Sequence, residues 1–421
     1  MPSASNKTLT PVNLLSVAVS TAFLAPVAHA EFFKDSSGTL TANNIYLNRD
    51  FREGTGQNKR EEWAQGFIFD IQSGYTEGTV GFGVDALGLL GLKLDSSPDR
   101  TGTGLLPTHD DGRAADEYSH LGLTGKVKVS ETELKVGTLM PELPTLKTND
   151  SRILPQTFEG GLVTSKDISN LTFTGGRIDE TKDRDSSNNQ DLAINNKNGR
   201  FASAATADHL TLAGADYKFT DRITGRYHFA ELDDIYRQHF FGLNASQPVG
   251  PGTFTADLRL ALSDDHGAAN AGKVDNRALH GMLSYGLNGH KLSLAYQDMS
   301  GDTGFAYVDG TDPFLVNFVQ INDFANADER SWQARYDYNF AAFGVPGLSF
   351  LTRYISGSDA QIAGSDETGD EWERDIEFKY VVQSGPMKDL YVRLRNASFR
   401  SDFARNADEN RIVIGYSLAV W

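Results

Sequence analysis

The stretch RIVIGYSLAVW, Arg411–Trp421, shows the pattern that decides the fold of this chain. Up to residue 420, its odd positions are small or are Arg411 and Val413, whereas its even positions are bulky and apolar: Ile412, Ile414, Tyr416, Leu418 and Val420. A period of two is that of a β-strand, because successive side chains of a strand point to opposite faces. The stretch therefore predicts a strand with one apolar face and one face that carries arginine.

The same alternation returns in at least five earlier segments, and each of them places arginine opposite an apolar face. They are Ile223–Phe229 with Arg226, Phe254–Leu262 with Arg259, Trp332–Phe340 with Arg335, Leu348–Tyr354 with Arg353, and Leu390–Arg395 with Arg393 and Arg395. Each predicted strand is about ten residues long, the length of a tilted strand that crosses a membrane. An arginine on the lipid face would cost roughly 2–4 kcal/mol at the bilayer midplane, so a membrane barrel must turn these residues into a wet lumen.

The connections between the predicted strands alternate between short turns and longer polar loops. Three of the longer loops are strongly acidic: 109–117, 179–191 and 366–375. At about 20 to 23 residues per strand and connection, the chain after residue 30 holds roughly 17 to 19 strands, and closure favours an even number. The sequence predicts an all-β protein, a transmembrane antiparallel up-and-down barrel of about eighteen strands.

Residues 1–30 have the organisation of a Sec-type signal peptide that is cleaved. Lys7 precedes an apolar run from Val12 to Phe23, and Ala28-His29-Ala30 is a small-residue cleavage site. The run is too short to span a bilayer. Residues 31–421 are then expected to be one exported barrel in the bacterial outer membrane, with membrane lipid as a partner.

Composition excludes some classes of function. The formal net charge is −17, and it becomes −18 when Lys7 is removed with the signal peptide, which argues against a nucleic-acid partner. The sequence contains no cysteine, so it has neither disulfides nor a thiolate site.

Alternation alone does not separate a membrane barrel from a soluble β-sandwich, because both bury one apolar face. In a sandwich the strand arginines would be ordinary surface residues. The signal peptide, the ten-residue repeat, the Tyr and Phe residues near strand ends and the aromatic C-terminal residue Trp421 favour the membrane barrel.

The stretch GTLMPELPTLKTNDSRILPQTFEGG, Gly137–Gly161, interrupts the strand pattern with Pro141, Pro144 and Pro155. Proline has no amide hydrogen to donate to a sheet, so this stretch is predicted to be a long loop. Long loops in compact proteins are usually functional, and this one carries Lys147, Asp150 and Arg152. Our hypothesis is a loop that folds into the pore, and the alternative is a solvated surface loop.

Motifs of enzymes and metal sites are missing from the sequence. There is no HExxH, GxSxG or Walker motif, and the nine histidines are scattered. Asp183-Arg184-Asp185 begins like a calcium loop, but the sixth position is Asn188 and not glycine. No catalytic residue, metal or cofactor is therefore predicted. A surface receptor or adhesin barrel is the remaining alternative outside transport.

Several long stretches are similar to one known family. They are Asn48–Phe51 (NRDF), Glu77–Pro107, Ser151–Thr157 (SRILPQT), Glu231–Gln238 (ELDDIYRQ), Ser331–Phe340 (SWQARYDYNF), Tyr380–Leu390 (YVVQSGPMKDL) and Val392–Arg395 (VRLR). Over essentially all of residues 31–421, the chain resembles the OprD (Occ) family of substrate-specific outer-membrane porins of Gram-negative bacteria. The resemblance implies an eighteen-stranded barrel that is a monomer or a weak trimer.

In that family the third extracellular loop folds inward and forms the constriction, which the resemblance places at Met140–Thr157. A ladder of inward arginines leads to it, and the matching motifs assign Arg49, Arg60, Arg152, Arg393, Arg395 and Arg411 to this ladder. The strand alternation independently turns the last three of these inward, and adds Arg226, Arg259, Arg335 and Arg353.

A row of arginines has a physical rationale in a channel for anions. The guanidinium group stays charged and holds a carboxylate with two parallel hydrogen bonds. Conduction also needs several shallow binding sites, so that a solute enters easily and leaves again. The alternative for any single arginine is a salt bridge to a carboxylate that merely stiffens the lumen.

The predicted constriction consists of Glu142, Lys147, Asp150, Arg152, Phe318, Ile321 and Asp323. The family has a branch for basic amino acids and a branch for carboxylates such as benzoate or vanillate. The MPELP sequence of the loop, Arg177 as an additional cation and the apolar residues beside Asp323 favour aromatic carboxylates, because an apolar wall beside arginine suits a ring that bears a carboxylate. A channel for basic amino acids or small peptides remains the alternative, because Asp323 and the loop acids suit an ammonium group.

Overall fold

The computed structural model describes residues 32–421, so the predicted signal peptide lies outside the described range. The described chain forms one sheet that closes on itself, and eighteen antiparallel strands make its wall. Four short strands within the loops complete the set. In chain order the strands are β1 (Ser37–Phe51), β2 (Lys59–Gln72), β3 (Gly81–Asp95), β4 (Glu117–Val129), β5 (Thr132–Leu139), β6 (Glu142–Leu143), β7 (Leu146–Lys147), β8 (Thr157–Ser165), β9 (Leu171–Lys182), β10 (Gln190–Ala193), β11 (Thr206–Ala207), β12 (Leu210–Thr220), β13 (Ile223–Leu232), β14 (Tyr236–Val249), β15 (Gly252–Asp265), β16 (Asp275–Leu287), β17 (His290–Ser300), β18 (Arg330–Asn339), β19 (Leu348–Gln361), β20 (Thr368–Val381), β21 (Tyr391–Ser401) and β22 (Ala407–Ala419).

The barrel closes where β1 pairs with β22, from Thr39 opposite Ala419 to Phe51 opposite Ala407. At one rim, tight turns join the strands. In the turn between β16 and β17, Asn288 and Gly289 both have positive φ, 50° and 84°, as a two-residue hairpin turn requires. At the other rim lie the long loops 96–116, 140–156, 183–209 and 301–329. The closed eighteen-stranded barrel confirms the predicted fold.

The two faces of each wall strand differ as the alternation predicts. On β21 and β22, Leu394 and Ile412 lie opposite each other and are 49% and 43% exposed on the outer face. Their neighbours Arg395 and Arg411 also form a pair, on the inner face. No helix among the described residues is long and apolar enough to cross a membrane.

Several strands are longer than the ten residues expected from the sequence. β1 and β3 each contain 15 residues. About ten residues of a tilted strand suffice to cross the hydrocarbon core of the membrane. The pairing between strands continues beyond this length, toward the long-loop rim, where the neighbouring strands are also extended.

The loops at that rim fold into the barrel and pack against its inner wall. Leu106 and Ile153 pack with Ile45 and Leu87, so loops 96–116 and 140–156 share one buried cluster with β1 and β3. Loops 183–209 and 301–329 form two more clusters with the wall, through the loop residues Ile194, Phe201, Phe305 and Leu315. The half of the lumen nearest the long-loop rim therefore contains several small hydrophobic cores around a pore.

The loop predicted at Gly137–Gly161 is shorter than expected. Residues 137–139 belong to β5 and residues 157–161 to β8, and β6 and β7 form a small hairpin inside the loop. The loop lies directly on β2 at Gly66, where an added Cβ would come within 2.4 Å of the carbonyl oxygen of Ile153. Glycine at this position is what allows the loop to contact the wall.

Replacing Gly66 with alanine should push the loop toward the pore axis. The new methyl group needs roughly 1 Å more room than the native contact leaves, and the wall cannot retreat. We expect a smaller single-channel conductance in planar bilayers, with the barrel still folded and heat-modifiable on gels. Gly88→Ala is the matched control, because the nearest atoms there are 3.7 Å away. Equal conductance of the two variants would show that this contact does not set the pore.

Candidate functional site

The inward loops leave a central chamber of ≈540 Å³ between themselves and the wall. Four arginines of the inner wall and two arginines of the loops line it. The wall contributes Arg49, Arg353, Arg395 and Arg411, and loops 140–156 and 183–209 contribute Arg152 and Arg184.

Each wall arginine of the chamber has a carboxylate partner on the wall itself. Glu409 on β22 binds both Arg49 and Arg411, with N–O distances of 2.5 Å to each. Asp375 on β20 binds Arg353 at 2.7 Å. Glu377, also on β20, lies 3.1 Å from Arg395 and 3.4 Å from Arg393. These pairs fix the orientation of the guanidinium groups and neutralise part of their charge.

The two loop arginines differ from the wall arginines because no carboxylate of the described chain lies within 4.0 Å of either. Arg152 donates from Nε to the carbonyl oxygen of Thr103 at 2.9 Å, and Arg184 donates from Nη1 to Ser151 Oγ at 2.8 Å. Burial lowers the pKa of both guanidinium groups, and repulsion from Arg411 lowers the pKa of Arg152 further. Neither guanidinium group is paired directly with a carboxylate of the described residues, and Asp183, Asp185 and Asp309 act on Arg184 only from farther away.

Loop 301–329 forms a further side of the chamber, next to Arg411, whose Nη2 donates to the carbonyl oxygen of Gln320 at 3.0 Å. Phe318, Val319 and Ile321 present an apolar surface. The lining also includes three acidic residues, Asp183, Asp185 and Asp309. Cations, an apolar surface and a smaller number of carboxylates thus meet in one cavity.

Asp323 does not line this chamber, in contrast to its predicted place in the constriction. It is 2% exposed and accepts hydrogen bonds from Arg200 Nη1 and Nη2 at 2.7 and 2.6 Å, and from the hydroxyl of Tyr307 at 3.0 Å. Lys197 lies 3.1 Å away. Burial alone would raise the pKa of Asp323, but the charges of Arg200 and Lys197 outweigh it and hold the pKa well below its usual value. Its charge is satisfied within the protein, and it acts as the anchor between loops 183–209 and 301–329.

Two further contacts join the inserted loops. Lys147 of loop 140–156 binds Asp312 of loop 301–329 at 2.7 Å, and their backbones form a β-bridge. A second bridge joins Ile194 to Val308. The predicted residue Lys147 is thus a link between loops, and the three loops form one connected body around the pore.

Three residues of the predicted ladder lie elsewhere in the lumen. Arg60 is opposite Arg49 in the pairing of β1 with β2, near the long-loop rim. Arg226 lies 3.6 Å from Asp216 on the far side of the barrel. Arg393 lies below Arg395, toward the short-turn rim. The structure gathers Arg49, Arg152, Arg353, Arg395 and Arg411 at the chamber and leaves these three outside it.

The prediction for Arg177 is wrong. β9 continues through Lys182, and Arg177 lies opposite Gly161 and Thr211 on the same face of the strand as the exposed Phe173. Its side chain is 57% exposed on the outer wall, where it pairs with Asp179 at 2.5 Å. It cannot contact a solute in the lumen.

The acidic residues of loop 140–156 are also not part of the chamber lining. Asp150 is exposed. Glu142 lies in the β6–β7 hairpin, where burial raises the pKa of its carboxyl group. The prediction missed Arg184 and Arg200. Arg184 could have been found, because it stands between two acidic residues in Asp183-Arg184-Asp185. Nothing local in the sequence distinguishes Arg200.

A closed membrane barrel whose pore is narrowed by inserted loops and lined by arginine is a channel of the porin class. The model of the family described as outer membrane porin, OprD family, matches residues 30–420. The chain belongs to the OprD family of outer-membrane porins, which confirms the resemblance seen in the sequence and places the chain in the outer membrane.

Solved structures of several relatives superpose over nearly the whole chain. OccK5 (OpdH) of Pseudomonas aeruginosa is 53% identical, with a TM-score of 0.84, and the match covers 93% of this chain and 100% of that one. A BenF-like porin from Pseudomonas fluorescens Pf-5 is 44% identical, with a TM-score of 0.89 and coverage of 92% and 100%. OpdK of Pseudomonas aeruginosa, solved with vanillate, is 42% identical, with a TM-score of 0.87 and coverage of 93% and 100%.

Replacing Asp323 with asparagine should release loop 301–329 from its anchor. Removing one partner of a buried ion pair costs about 3–5 kcal/mol, because Arg200 is left without its counter-charge. We expect faster proteolysis within residues 301–329 and a noisier, larger channel current, with the barrel intact. Asp312→Asn, which breaks the more exposed pair with Lys147, should have the smaller effect.

The anchor should also withstand mild acid. Its stabilisation is complete above the pKa of about 3.9 of an unfolded aspartate, and it is lost only as the pH falls through the lower folded value. The wild-type current should therefore keep its conductance and noise between pH 7 and pH 5. An opening of the channel within that interval would contradict the low pKa of Asp323.

Proposed function

We propose that this porin carries small carboxylates across the outer membrane by facilitated diffusion, and that aromatic monocarboxylates are its main substrates. One observation carries the proposal. Arg152 and Arg184, which have no carboxylate partner among the described residues, share a chamber with the apolar surface of Phe318 and Ile321.

The two loop arginines supply recognition of the carboxylate. A guanidinium group binds a carboxylate through two parallel N–H donors, and the interaction is stronger where protein excludes bulk water. Each loop arginine keeps part of its guanidinium free, because its hydrogen bonds to the described chain occupy Nε and Nη1 of Arg152 and Nη1 of Arg184. An entering carboxylate would supply the counter-charge that the protein leaves out.

The apolar surface supplies recognition of the ring. Binding sites for small molecules are mostly apolar, with a few polar groups that fix orientation. Phe318 offers a ring face or edge for aromatic contact, and Val319 and Ile321 extend the surface. A solute with a carboxylate at one end and a ring at the other meets both halves of the chamber at once.

The paired wall arginines would guide the solute without trapping it. Glu409, Asp375 and Glu377 neutralise part of the positive charge of the wall. The positive potential is therefore moderate along the row, and a carboxylate can exchange one guanidinium for the next. Several weak sites in sequence suit conduction better than one tight site.

The relatives agree with this substrate class. One solved relative was crystallised with vanillate, which is an aromatic monocarboxylate, and another is described as BenF-like. Both are less identical to this chain than OccK5 (OpdH), at 42% and 44% against 53%, so they support the class and do not select an acid.

A second candidate is a channel for basic amino acids. Asp183, Asp185 and Asp309 line the same chamber and suit an ammonium group. The sequence analysis named Asp323 in support of this alternative. In the structure its carboxylate is paired with Arg200 and Lys197, so it does not add a binding group for an ammonium ion. The free donors of Arg152 and Arg184 still favour the anion, because neither guanidinium group has a carboxylate of the described chain within 4.0 Å.

Uptake into proteoliposomes tests the class. Labelled benzoate, vanillate, acetate and arginine are supplied at equal, low concentration to vesicles that contain the purified porin, and initial rates are compared with protein-free vesicles. We expect the aromatic acids to enter faster than acetate and arginine. Faster entry of arginine would replace the proposal with the second candidate, and equal rates for acetate and benzoate would remove the role of the apolar surface.

Arg184→Gln should lower uptake of the aromatic acids about tenfold at low concentration, because one charge-assisted contact is lost. Arg184 is a cleaner choice than Arg152, whose Nε also fixes loop 140–156 to Thr103. Arg335→Gln is the matched control. It removes one positive charge from the inner wall at a residue that lies outside the chamber and is paired with Asp337 at 2.7 Å. Equal losses in both variants would mean that only the net charge of the lumen matters.

A further inference from the structure

The outer wall of the barrel carries an apolar groove of ≈830 Å³ that crosses β15 to β20. Ala334 forms its floor, because this small residue lies in register between two larger outward residues, Leu294 on β17 and Tyr354 on β19. The groove rises obliquely from the short-turn side, where Phe254 and Tyr285 lie opposite each other, to Arg374 on β20. Leu292 and Leu294 border it and are 65% and 67% exposed.

Arg374 is an unusual residue at the upper end of this groove. Its neighbours Glu373 and Asp375 are buried in the lumen, so the alternation of β20 turns Arg374 to the outside. No carboxylate of the described chain lies within 4.0 Å of it, whereas the outer-wall arginines Arg177 and Arg237 pair with aspartates at 2.5 and 2.6 Å. Arg374 is thus an exposed cation on the lipid-facing side without a counter-charge.

The position of Arg374 places it in the outer leaflet. It pairs with Tyr354 on β19, in the row of aromatic side chains near the long-loop end of the apolar outer face. Trp372, two residues farther toward the long-loop rim, stacks with Tyr354 at 5.7 Å between ring centres. Aromatic rings of this kind mark the level of the lipid headgroups.

A strip of polar side chains extends from Arg374 around the outer wall. Arg374 Nη2 donates to Asn396 Oδ1 and to Ser398 Oγ, both at 3.1 Å. Asn396 Nδ2 in turn donates to Asn410 Oδ1 at 2.9 Å. Nε and Nη1 of Arg374 have no hydrogen-bond partner in the described part of the chain and remain available as a pair of donors.

We propose that this surface binds one phosphorylated glycolipid of the outer leaflet. The phosphate accepts hydrogen bonds from the free donors of Arg374, and one acyl chain lies in the groove across Ala334. The sugar hydroxyls contact the strip of Ser398, Asn396 and Asn410. A single lipid of this kind would use all three features of the surface: the unpaired cation, the apolar groove below it, and the neutral hydrogen-bonding groups beside it.

Native mass spectrometry of the delipidated, full-length mature barrel tests the proposal with three probes: lipid A, phosphatidylglycerol and phosphatidylethanolamine. We expect one lipid A to bind more tightly than either phospholipid. Arg374→Gln should weaken that first binding event at least about tenfold, because the charge-assisted contact to phosphate is lost. Ala334→Trp, which fills the groove and leaves the cation intact, should weaken it as well. Arg237→Gln is the control and should bind like the wild type.

Each variant is checked for the heat-modifiable folded form and for unchanged channel conductance before titration. Ala334→Trp and Arg374→Gln act at opposite ends of the site, so the proposal stays testable when one of them fails to fold. Equal binding of phosphatidylglycerol and lipid A would overturn the assignment to a glycolipid. Unchanged lipid A binding in a folded Arg374→Gln variant would overturn the site.

Discussion

The constraint on which this structure depends is that lipid surrounds the barrel. An arginine on the lipid face costs roughly 2–4 kcal/mol at the midplane, so in the middle of the membrane the outward residues are apolar and the charged residues face inward, whereas the outward Arg374 lies nearer the long-loop rim. The lumen consequently collects charge of both signs in a narrow space. Glu409 shows the result, because one fully buried carboxylate holds both Arg49 and Arg411. Pairing of this kind makes a charged lumen compatible with a stable wall.

This pairing divides the arginines into two groups with different consequences for transport. Inward residues on neighbouring antiparallel strands lie close enough to form ion pairs, so wall arginines readily acquire wall carboxylates, as Arg353 does with Asp375. Loop arginines are placed by tertiary packing instead, and Arg152 and Arg184 reach the chamber without such partners. The wall thus provides a row of oriented and partly neutralised cations, whereas the loops provide the strongest uncompensated charge. Selectivity would then depend more on the loops than on the row.

The period of two in the sequence was sufficient to predict the strands and the inward direction of Arg393, Arg395 and Arg411, whereas the barrel and its number of strands also needed the signal peptide, the aromatic residues near strand ends and the spacing of the strands. The prediction of Arg177 as an additional cation at the end of a strand was wrong, because β9 runs on to Lys182 and turns Arg177 to the outer wall. The anchor of the loops could not be predicted for a different reason. Arg200 and Asp323 are far apart in the sequence, and their pairing depends on how two loops fold inside the barrel. Local patterns report which face a strand residue occupies, and they carry no information about such contacts.

The anchor also explains why the acidic residues near the constriction are a poor guide to substrate class. The carboxylate of Asp323 accepts hydrogen bonds from both terminal nitrogens of Arg200, so it is not available to bind a passing ammonium group. A substitution of Asp323 without one of Arg200 would leave the buried charge of Arg200 unpaired. Arg184 carries no such structural obligation, and Phe318 is only partly buried against the cluster of Phe305 and Leu315. Arg184 makes one hydrogen bond to Ser151, and Phe318 ends in the chamber. We therefore expect substitutions at Arg184, and to a lesser degree at Phe318, to alter what the chamber binds at a smaller cost to the loops than substitutions at Asp323.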